Sequence, residues 1–233
     1  MTPRTAPGSA DGRHDPDSPR DPDDRGRDGL PQLLARAAGI DFPTLGHFLE
    51  KGFLDPAIRR TGQTRRMIGT ATTLVLGEPD ATAVNRAVIQ LRPADVLVID
   101  TRGDHTHAVI GAVTAAAARA RGAAGILVDG AVTDVDALRD PRTGLPVHAR
   151  GTTCLTTKRL NGTWARHQVP AEVGGVRIEP GDIVLGDANG VIALAPAALA
   201  GVLRRAELSD TAEPDLLRRI REGTALEDLL HLG

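Results

Sequence analysis

Short apolar strands alternate with helices through the middle of this chain, and that order limits the folds it can adopt. Residues 68–76 and 95–100 have the composition of strands, and residues 81–91 between them have helical spacing. Apolar residues from Val109 to Ala120 indicate a further helix, and residues 124–128 indicate another strand. This alternation predicts an α/β fold.

After Pro146 the pattern changes to short strands separated by turns. The predicted strands cover 147–149, 173–178, 182–185 and 191–194. The turns between them contain Gly-Gly, Pro-Gly-Asp and Asp-Ala-Asn-Gly, and Asn189-Gly190 is a strong hairpin signal. We therefore expect antiparallel pairing here, followed by a helical stretch from Ala197.

Composition marks where the folded region begins. Residues 1–30 carry five Arg, seven Asp and five Pro with only four apolar members, and such a segment cannot bury enough surface to offset its ordering entropy. We predict a disordered polar tail over 1–30 and one domain over 31–233. We expect one short helix near Leu33 and a second short helix whose N-terminus is capped by Thr44.

Charge, hydropathy and cysteine content limit the partners and the cellular compartment that we expect for this protein. The 28 basic and 30 acidic residues give a net charge of −2, which lacks the basic excess of a nucleic-acid-binding protein. The longest nearly apolar run, 191–203, is short of the roughly 20 residues that span a membrane. Cys154 is the only cysteine, so no internal disulfide forms. We expect a cytoplasmic protein with no nucleic-acid or membrane partner.

Several blocks of the sequence resemble the RraA-like family, which includes ribonuclease-activity regulators and 4-hydroxy-4-methyl-2-oxoglutarate aldolases. In the family's order, these blocks are Gly69 to Thr73, Pro93 to Asp100, Gly122 to Val132, Pro146-Val147, Gly174 to Val176 and Pro180 to Val191. The resemblance implies a swivelling β/β/α single domain that forms a homotrimer or a dimer of trimers, with active sites between subunits. It also implies a lyase that uses Mg²⁺ or Mn²⁺ to cleave or decarboxylate 2-oxo acids through a pyruvate enolate.

The catalytic members of that family share a signature, which is an acidic residue, twenty intervening positions and then Arg-Asp. Here Asp134 stands at the final Asp position, while Thr133 replaces the Arg and Ala112 replaces the first acid. A hard divalent cation prefers oxygen ligands, and Arg neutralises carboxylate and enolate charge. The resemblance therefore assigns Asp134 a metal or substrate role. The alternative is that Asp134 caps the short helix predicted over 134–138.

The resemblance also places a substrate site at the start of the predicted helix, at Gly111, Ala112, Val113 and Thr114. Free backbone N–H groups and the positive end of the helix dipole favour a carboxylate there, whichever side chain Ala112 carries. Thr133 belongs to the same predicted site. A plain helix start with Gly as a turn is the alternative.

Two histidines, His105 and His107, precede this helix. If the segment is extended, alternate residues share a face, so both imidazoles could ligate one metal or act as acid and base. Solvated loop histidines are the alternative. Arg102 follows a strand end and is a candidate substrate-binding residue. The cations that could replace the missing Arg are Arg102, Arg139, Arg142 and Arg150, and a plain surface charge is the alternative for each of them.

Three functions follow from these observations. The first is a divalent-metal lyase of the aldolase or decarboxylase type, acting on a 2-oxo or carboxylated small molecule at a subunit interface. The second is a metal-independent isomerase, cyclase or hydro-lyase of a specialised pathway, since Ala112 and Thr133 leave a less charged pocket. The third is a non-catalytic protein that binds a ribonuclease.

Overall fold

The computed structural model describes residues 29–142, 144–158, 161–162 and 164–230. Residues 1–28 of the predicted tail lie outside the described residues, whereas Gly29 and Leu30 are described, with Gly29 at the N-cap of the first helix and Leu30 as its first residue. The helices are α1 (Leu30–Ala37), α2 (Phe42–Leu45), α3 (Ala81–Gln90), α4 (Ala112–Ala120), α5 (Val135–Arg139) and α6 (Pro196–Arg221), followed by a 3₁₀ turn at Leu226–Asp228. The strands are β1 (Arg59–Arg60), β2 (Met67–Leu76), β3 (Asp95–Asp100), β4 (Ala108–Ile110), β5 (Gly125–Val132), β6 (Val147–Thr152), β7 (Ala165–His167), β8 (Ala171–Val173), β9 (Val176–Ile178), β10 (Ile183–Gly186) and β11 (Val191–Leu194).

A mixed sheet with a parallel centre organises the domain. Its strand order is β1-β6-β5-β3-β2-β10-β11, with β4 also paired to β5 and β7 to β2, while β8 and β9 form a separate hairpin. Strands β2, β3, β5 and β6 are parallel. The predicted α/β class is confirmed. None of the helices in the described residues is long and apolar enough to cross a membrane.

The central strand β3 is buried on both faces, which explains its unbroken apolar run. Leu97 and Ile99 pack in the core cluster that contains α3 and α4 residues. Val96 and Val98, which point the other way, pack in the cluster that contains the β8–β9 hairpin. With few aromatic rings available, aliphatic side chains fill both layers, as the composition indicates.

Some predicted elements are wrong in detail. Val109 and Ile110 do not begin the helix but form β4, because their backbone pairs with β5. Antiparallel pairing is confirmed for the β10–β11 and β8–β9 hairpins and for β6 against β1, whereas on its other side β6 lies parallel to β5, reached by a crossover through α5. Thr44 lies inside α2 and does not cap it. The predicted strand 173–178 divides into β8 and β9 at a Gly-Gly turn with positive φ at both residues.

A fully buried histidine joins β6 to the end of β10. His148 is completely buried, and its Nε2 donates to the carbonyl oxygen of Asp187 at 2.8 Å, which places the proton on Nε2. Its Nδ1 has no hydrogen-bond partner among the described residues. Burial lowers the pKa of His148, and the charge of Arg60 on the neighbouring strand lowers it further, against the opposing effect of Asp187.

Stability should therefore depend on pH through His148. Because the pKa of His148 is lowered in the folded protein and stays at about 6.5 in the unfolded chain, the unfolded chain takes up the proton first as pH falls. We expect the free energy of unfolding to decrease below pH ~6.5, by at most about 1.4 kcal/mol per pH unit for this group. Urea unfolding of wild type, His148→Gln and His47→Gln from pH 7.5 to 5 measures this, with exposed His47 as the control. Equal slopes for all three proteins would contradict the assignment.

Candidate functional site

The start of α4 opens onto a pocket of about 170 Å³. Because β4 and β5 are parallel, their carboxyl ends meet at one edge of the sheet, and the residues that follow them converge there. Six residues predicted from the sequence line this pocket, namely Gly111, Ala112, Val113, Thr114, Thr133 and Asp134. The rest of the lining comes from α3, from β4 and from Thr156 and Thr157.

Asp134 is fixed at the mouth of α4 by the backbone. Its Oδ2 accepts a hydrogen bond from the Ala112 N–H at 2.9 Å. A Cβ at Gly111 would lie 2.6 Å from that oxygen, so glycine is required for this close approach. Asp134 has left-handed backbone angles and makes no side-chain cap to its own helix α5. The carboxylate therefore caps α4 across the pocket, and the predicted cap on 134–138 is not formed.

The N-terminus of α4 has further backbone N–H groups that are free to donate hydrogen bonds. Within the described residues, the N–H groups of Val113 and Thr114 have no hydrogen-bond acceptor, whereas Ala115 N–H reaches the carbonyl of Gly111 at 3.0 Å. Such unpaired N–H groups at a helix N-terminus favour a bound anion. Val113 is 84 % exposed, so this edge of the pocket is open.

None of the four candidate replacement cations lines this pocket. Arg139 donates to the carbonyl of Thr61, Arg142 pairs with Asp140, and Arg150 pairs with Asp55 and Asp129. The guanidinium of Arg102 lies over the ring of Trp164, 5.4 Å from its centroid. Asp134 is thus the only charged side chain among the described lining residues.

The two predicted histidines have separate partners and lie outside the lining of this pocket. His105 Nε2 is 3.8 Å from Asp129 Oδ1, while His107 Nδ1 is 2.8 Å from Asp104 Oδ2. Burial alone would raise the pKa of Asp104, but hydrogen bonds from Thr106 and His107 outweigh it and lower the pKa to about 2. His107 lines an adjoining pocket of about 490 Å³ that shares Thr156 with the first.

Among the described lining residues of this pocket, Asp134 offers the one carboxylate that a divalent cation could bind. Among the described residues no group of three His, Cys, Asp or Glu side chains could hold a metal ion, so a closed protein cage is not formed. Asp134 Oδ1, however, has no hydrogen-bond partner among the described residues, while Oδ2 is anchored. Mg²⁺ commonly binds through one or two carboxylates and keeps several waters. The donor set fits a hard cation held by a single protein carboxylate.

Comparison with known proteins settles the family. A profile of the RraA-like family, described as Aldolase/RraA, matches residues 41–193. The chain belongs to the RraA-like family. A relative from Halalkalibacterium halodurans, named "Putative 4-hydroxy-4-methyl-2-oxoglutarate aldolase", is 32% identical over 183 residues, covering 76% of this chain and 85% of that protein.

Solved structures agree with this RraA-like assignment. An uncharacterized protein from Pseudomonas syringae pv. tomato has a TM-score of 0.73 at 25% identity, covering 85% of this chain and 92% of that one. The RNA-processing inhibitor RraA from Thermus thermophilis has a TM-score of 0.59 at 27% identity, covering 66% and 92%. The predicted swivelling β/β/α fold is confirmed. Ala112 and Thr133 are this chain's departures from the signature stated above.

The cap across the pocket can be tested by stability. Asp134→Ala removes the acceptor for Ala112 N–H and should cost about 1 kcal/mol in the free energy of unfolding, as loss of a helix cap usually does. Asp134→Asn keeps a side-chain oxygen and should stay within about 0.5 kcal/mol of wild type. Urea denaturation measures both, and an Asp134→Ala variant as stable as wild type would contradict this role.

Proposed function

We propose that this chain is a lyase-type small-molecule enzyme that takes a 2-oxo or carboxylated substrate in the pocket at the start of α4. The supporting observation is that the residues following β4 and β5, including Asp134 and the α4 N-terminus, line one pocket. The aldolase name of the Halalkalibacterium relative supports the reaction class. The substrate carboxylate would accept from the N–H groups of Val113 and Thr114.

In this proposal Asp134 would hold Mg²⁺ or Mn²⁺ through its Oδ1, since Oδ2 is bound to Ala112 N–H. The ion, when bound, would polarise the 2-oxo group and stabilise negative charge on the enolate. The hydroxyl groups of Thr114 and Thr133 would orient the substrate by hydrogen bonds. Of the two histidines, His107 is the better placed to move a proton, because its pocket adjoins this one at Thr156.

We also propose that a neighbouring copy of the chain closes the pocket, in a homotrimer or a dimer of trimers. Val113 supports this, because an aliphatic side chain that is 84 % exposed at the edge of a site gains by being covered. A second protomer would also exclude water from the reacting groups, which strengthens their electrostatic interactions.

Pyruvate release from oxaloacetate or from a 4-hydroxy-2-oxo acid, measured with Mg²⁺ or Mn²⁺, tests the proposal. We expect wild type to turn over and Asp134→Asn to lose about 10²–10³ in rate, the usual cost of removing one preorganised charged group. Asp136→Asn is the matched control, because Asp136 is an exposed carboxylate on α5 that does not line the pocket.

A properly assembled wild type with no turnover on any divalent metal would contradict the lyase proposal. If turnover then appeared only in the Ala112→Asp, Thr133→Arg double variant, the chain would have left this chemistry, which favours the metal-independent isomerase, cyclase or hydro-lyase. The likeness to the Thermus RNA-processing inhibitor favours a ribonuclease regulator as the second candidate. Equal inhibition of a ribonuclease by wild type and Asp134→Asn would support that candidate.

A further inference from the structure

Asp104 and His107 form a hydrogen-bonded pair in the turn before β4. The Nδ1 atom of His107 lies 2.8 Å from Asp104 Oδ2. The other oxygen, Oδ1, accepts the backbone N–H groups of Thr106 and His107 at 2.9 and 3.2 Å, and it accepts the Thr106 hydroxyl at 2.7 Å. One oxygen of Asp104 therefore builds the turn, and the other is directed at the imidazole ring.

The charge of Asp104 determines which nitrogen of the His107 ring carries the proton. The pKa of Asp104 is about 2, so its carboxylate is ionised near neutral pH. Because an ionised carboxylate only accepts hydrogen bonds, the neutral ring carries its proton on Nδ1 and keeps a lone pair on Nε2. The hydrogen-bond neighbours of the ring, Asp104 and Thr106, both lie at Nδ1. Among the described residues the buried nitrogens without a partner belong to His148 and His167, so Nε2 of half-buried His107 is open to solvent.

The backbone holds this pair at the border between two pockets. Thr101 Oγ1 lies 2.9 Å from the carbonyl oxygen of Asp104 and 2.6 Å from that of Asp129, so the turn is tied to β5. His107 lines the second pocket, of about 490 Å³. Ala108, the next residue, lines the pocket at the start of α4. The imidazole is therefore close to the site that holds Asp134 without belonging to its lining.

We infer that Asp104 is a positioning residue that makes Nε2 of His107 the general base for cleavage of a 4-hydroxy-2-oxo acid. This role rests on the proposed function, in which the substrate carboxylate binds at the start of α4. Nε2 takes the proton of the C4 hydroxyl, the C3–C4 bond breaks as the C4 carbonyl forms, and the electron pair of that bond passes to C3 as the pyruvate enolate. The imidazolium then returns the proton to C3, so the step needs no co-reactant. Glu78 and Lys158 are the other charged side chains that line the second pocket and face the C4 end of the substrate.

Decarboxylation of oxaloacetate at the same site needs no such base. There the bond that breaks releases CO₂, and its electron pair forms the same enolate with no hydroxyl proton to remove. Loss of the base should therefore slow cleavage of the 4-hydroxy acid and spare decarboxylation. General damage to the site would slow both reactions.

Asp104→Asn tests this role with little change to the turn. The amide oxygen can still accept the three hydrogen bonds that Oδ1 accepts, while the NH₂ group replaces Oδ2. That NH₂ group donates to Nδ1 of His107, which moves the ring proton to Nε2 and removes the base. We expect kcat for cleavage to fall about 10²-fold or more, with its KM and the decarboxylation rate within about threefold of wild type. Asp140→Asn is the matched control, because Asp140 also accepts the N–H of the residue two positions on, at 2.8 Å, and lines neither pocket.

Nitrogen-15 NMR of the histidine side chains reads the tautomer directly and does not need turnover. Above the usual titration range of histidine, His107 should carry its proton on Nδ1 in wild type and on Nε2 in Asp104→Asn, and His107→Gln identifies its signals. A wild-type ring protonated on Nε2 would overturn the inference. Unchanged cleavage in Asp104→Asn, or an equal loss of both reactions, would overturn it too. If wild type turned over neither substrate, the proposed function and the base role would both be wrong, whereas the Nδ1 tautomer would still support the positioning by Asp104.

Discussion

One hydrogen bond links the two halves of the candidate site. The Ala112 N–H at the start of α4 donates to the Asp134 carboxylate, which follows β5. Parallel pairing of β4 with β5 brings the two residues to the same edge of the sheet, and Gly111 leaves the space for the carboxylate. Because the backbone holds one oxygen of Asp134, the other oxygen keeps a defined position without needing a second acidic side chain nearby. The pocket can therefore keep its shape although the first acid of the signature is absent.

The two departures from the family signature balance each other electrostatically. An acid at position 112 and an arginine at position 133 would contribute opposite charges, so replacing both with Ala and Thr leaves the net charge of the pocket unchanged. The remaining field comes from Asp134 and from the N-terminus of α4, which attract a cation and an anion respectively. A 2-oxo acid with a bound hard cation carries both charges.

The sequence predicts an element well when neighbouring residues alone determine its structure, and poorly when pairing with a distant segment determines it. The runs that form β2 and β3 are buried on successive residues, so composition alone identifies them. β4 was missed because Val109 and Ile110 match helical spacing equally well, and only pairing with β5 decides their conformation. The residues that follow β4 and β5 were found through the family signature. Thr156 and Thr157 carry no such signal, since they reach the pocket through long-range pairing of their segment with Ala108.

That same segment explains why the histidines do not work as a pair. The Ala108 N–H donates to the carbonyl of Leu155 at 2.7 Å, so the residues before β4 lie along the 155–157 segment. His107 thereby lines the second pocket, which shares Thr156 with the pocket at the start of α4. His105 instead lies near Asp129, whose carboxylate accepts the N–H of Gly174 in the turn of the β8–β9 hairpin. Residues two positions apart share a face only in a regular strand. Here the Asp104 carboxylate accepts the backbone N–H groups of Thr106 and His107, which makes the segment a turn. The turn at Asp104 therefore separates the two imidazoles, and of the two histidines it is His107 that lines the second pocket, together with Glu78 and Lys158.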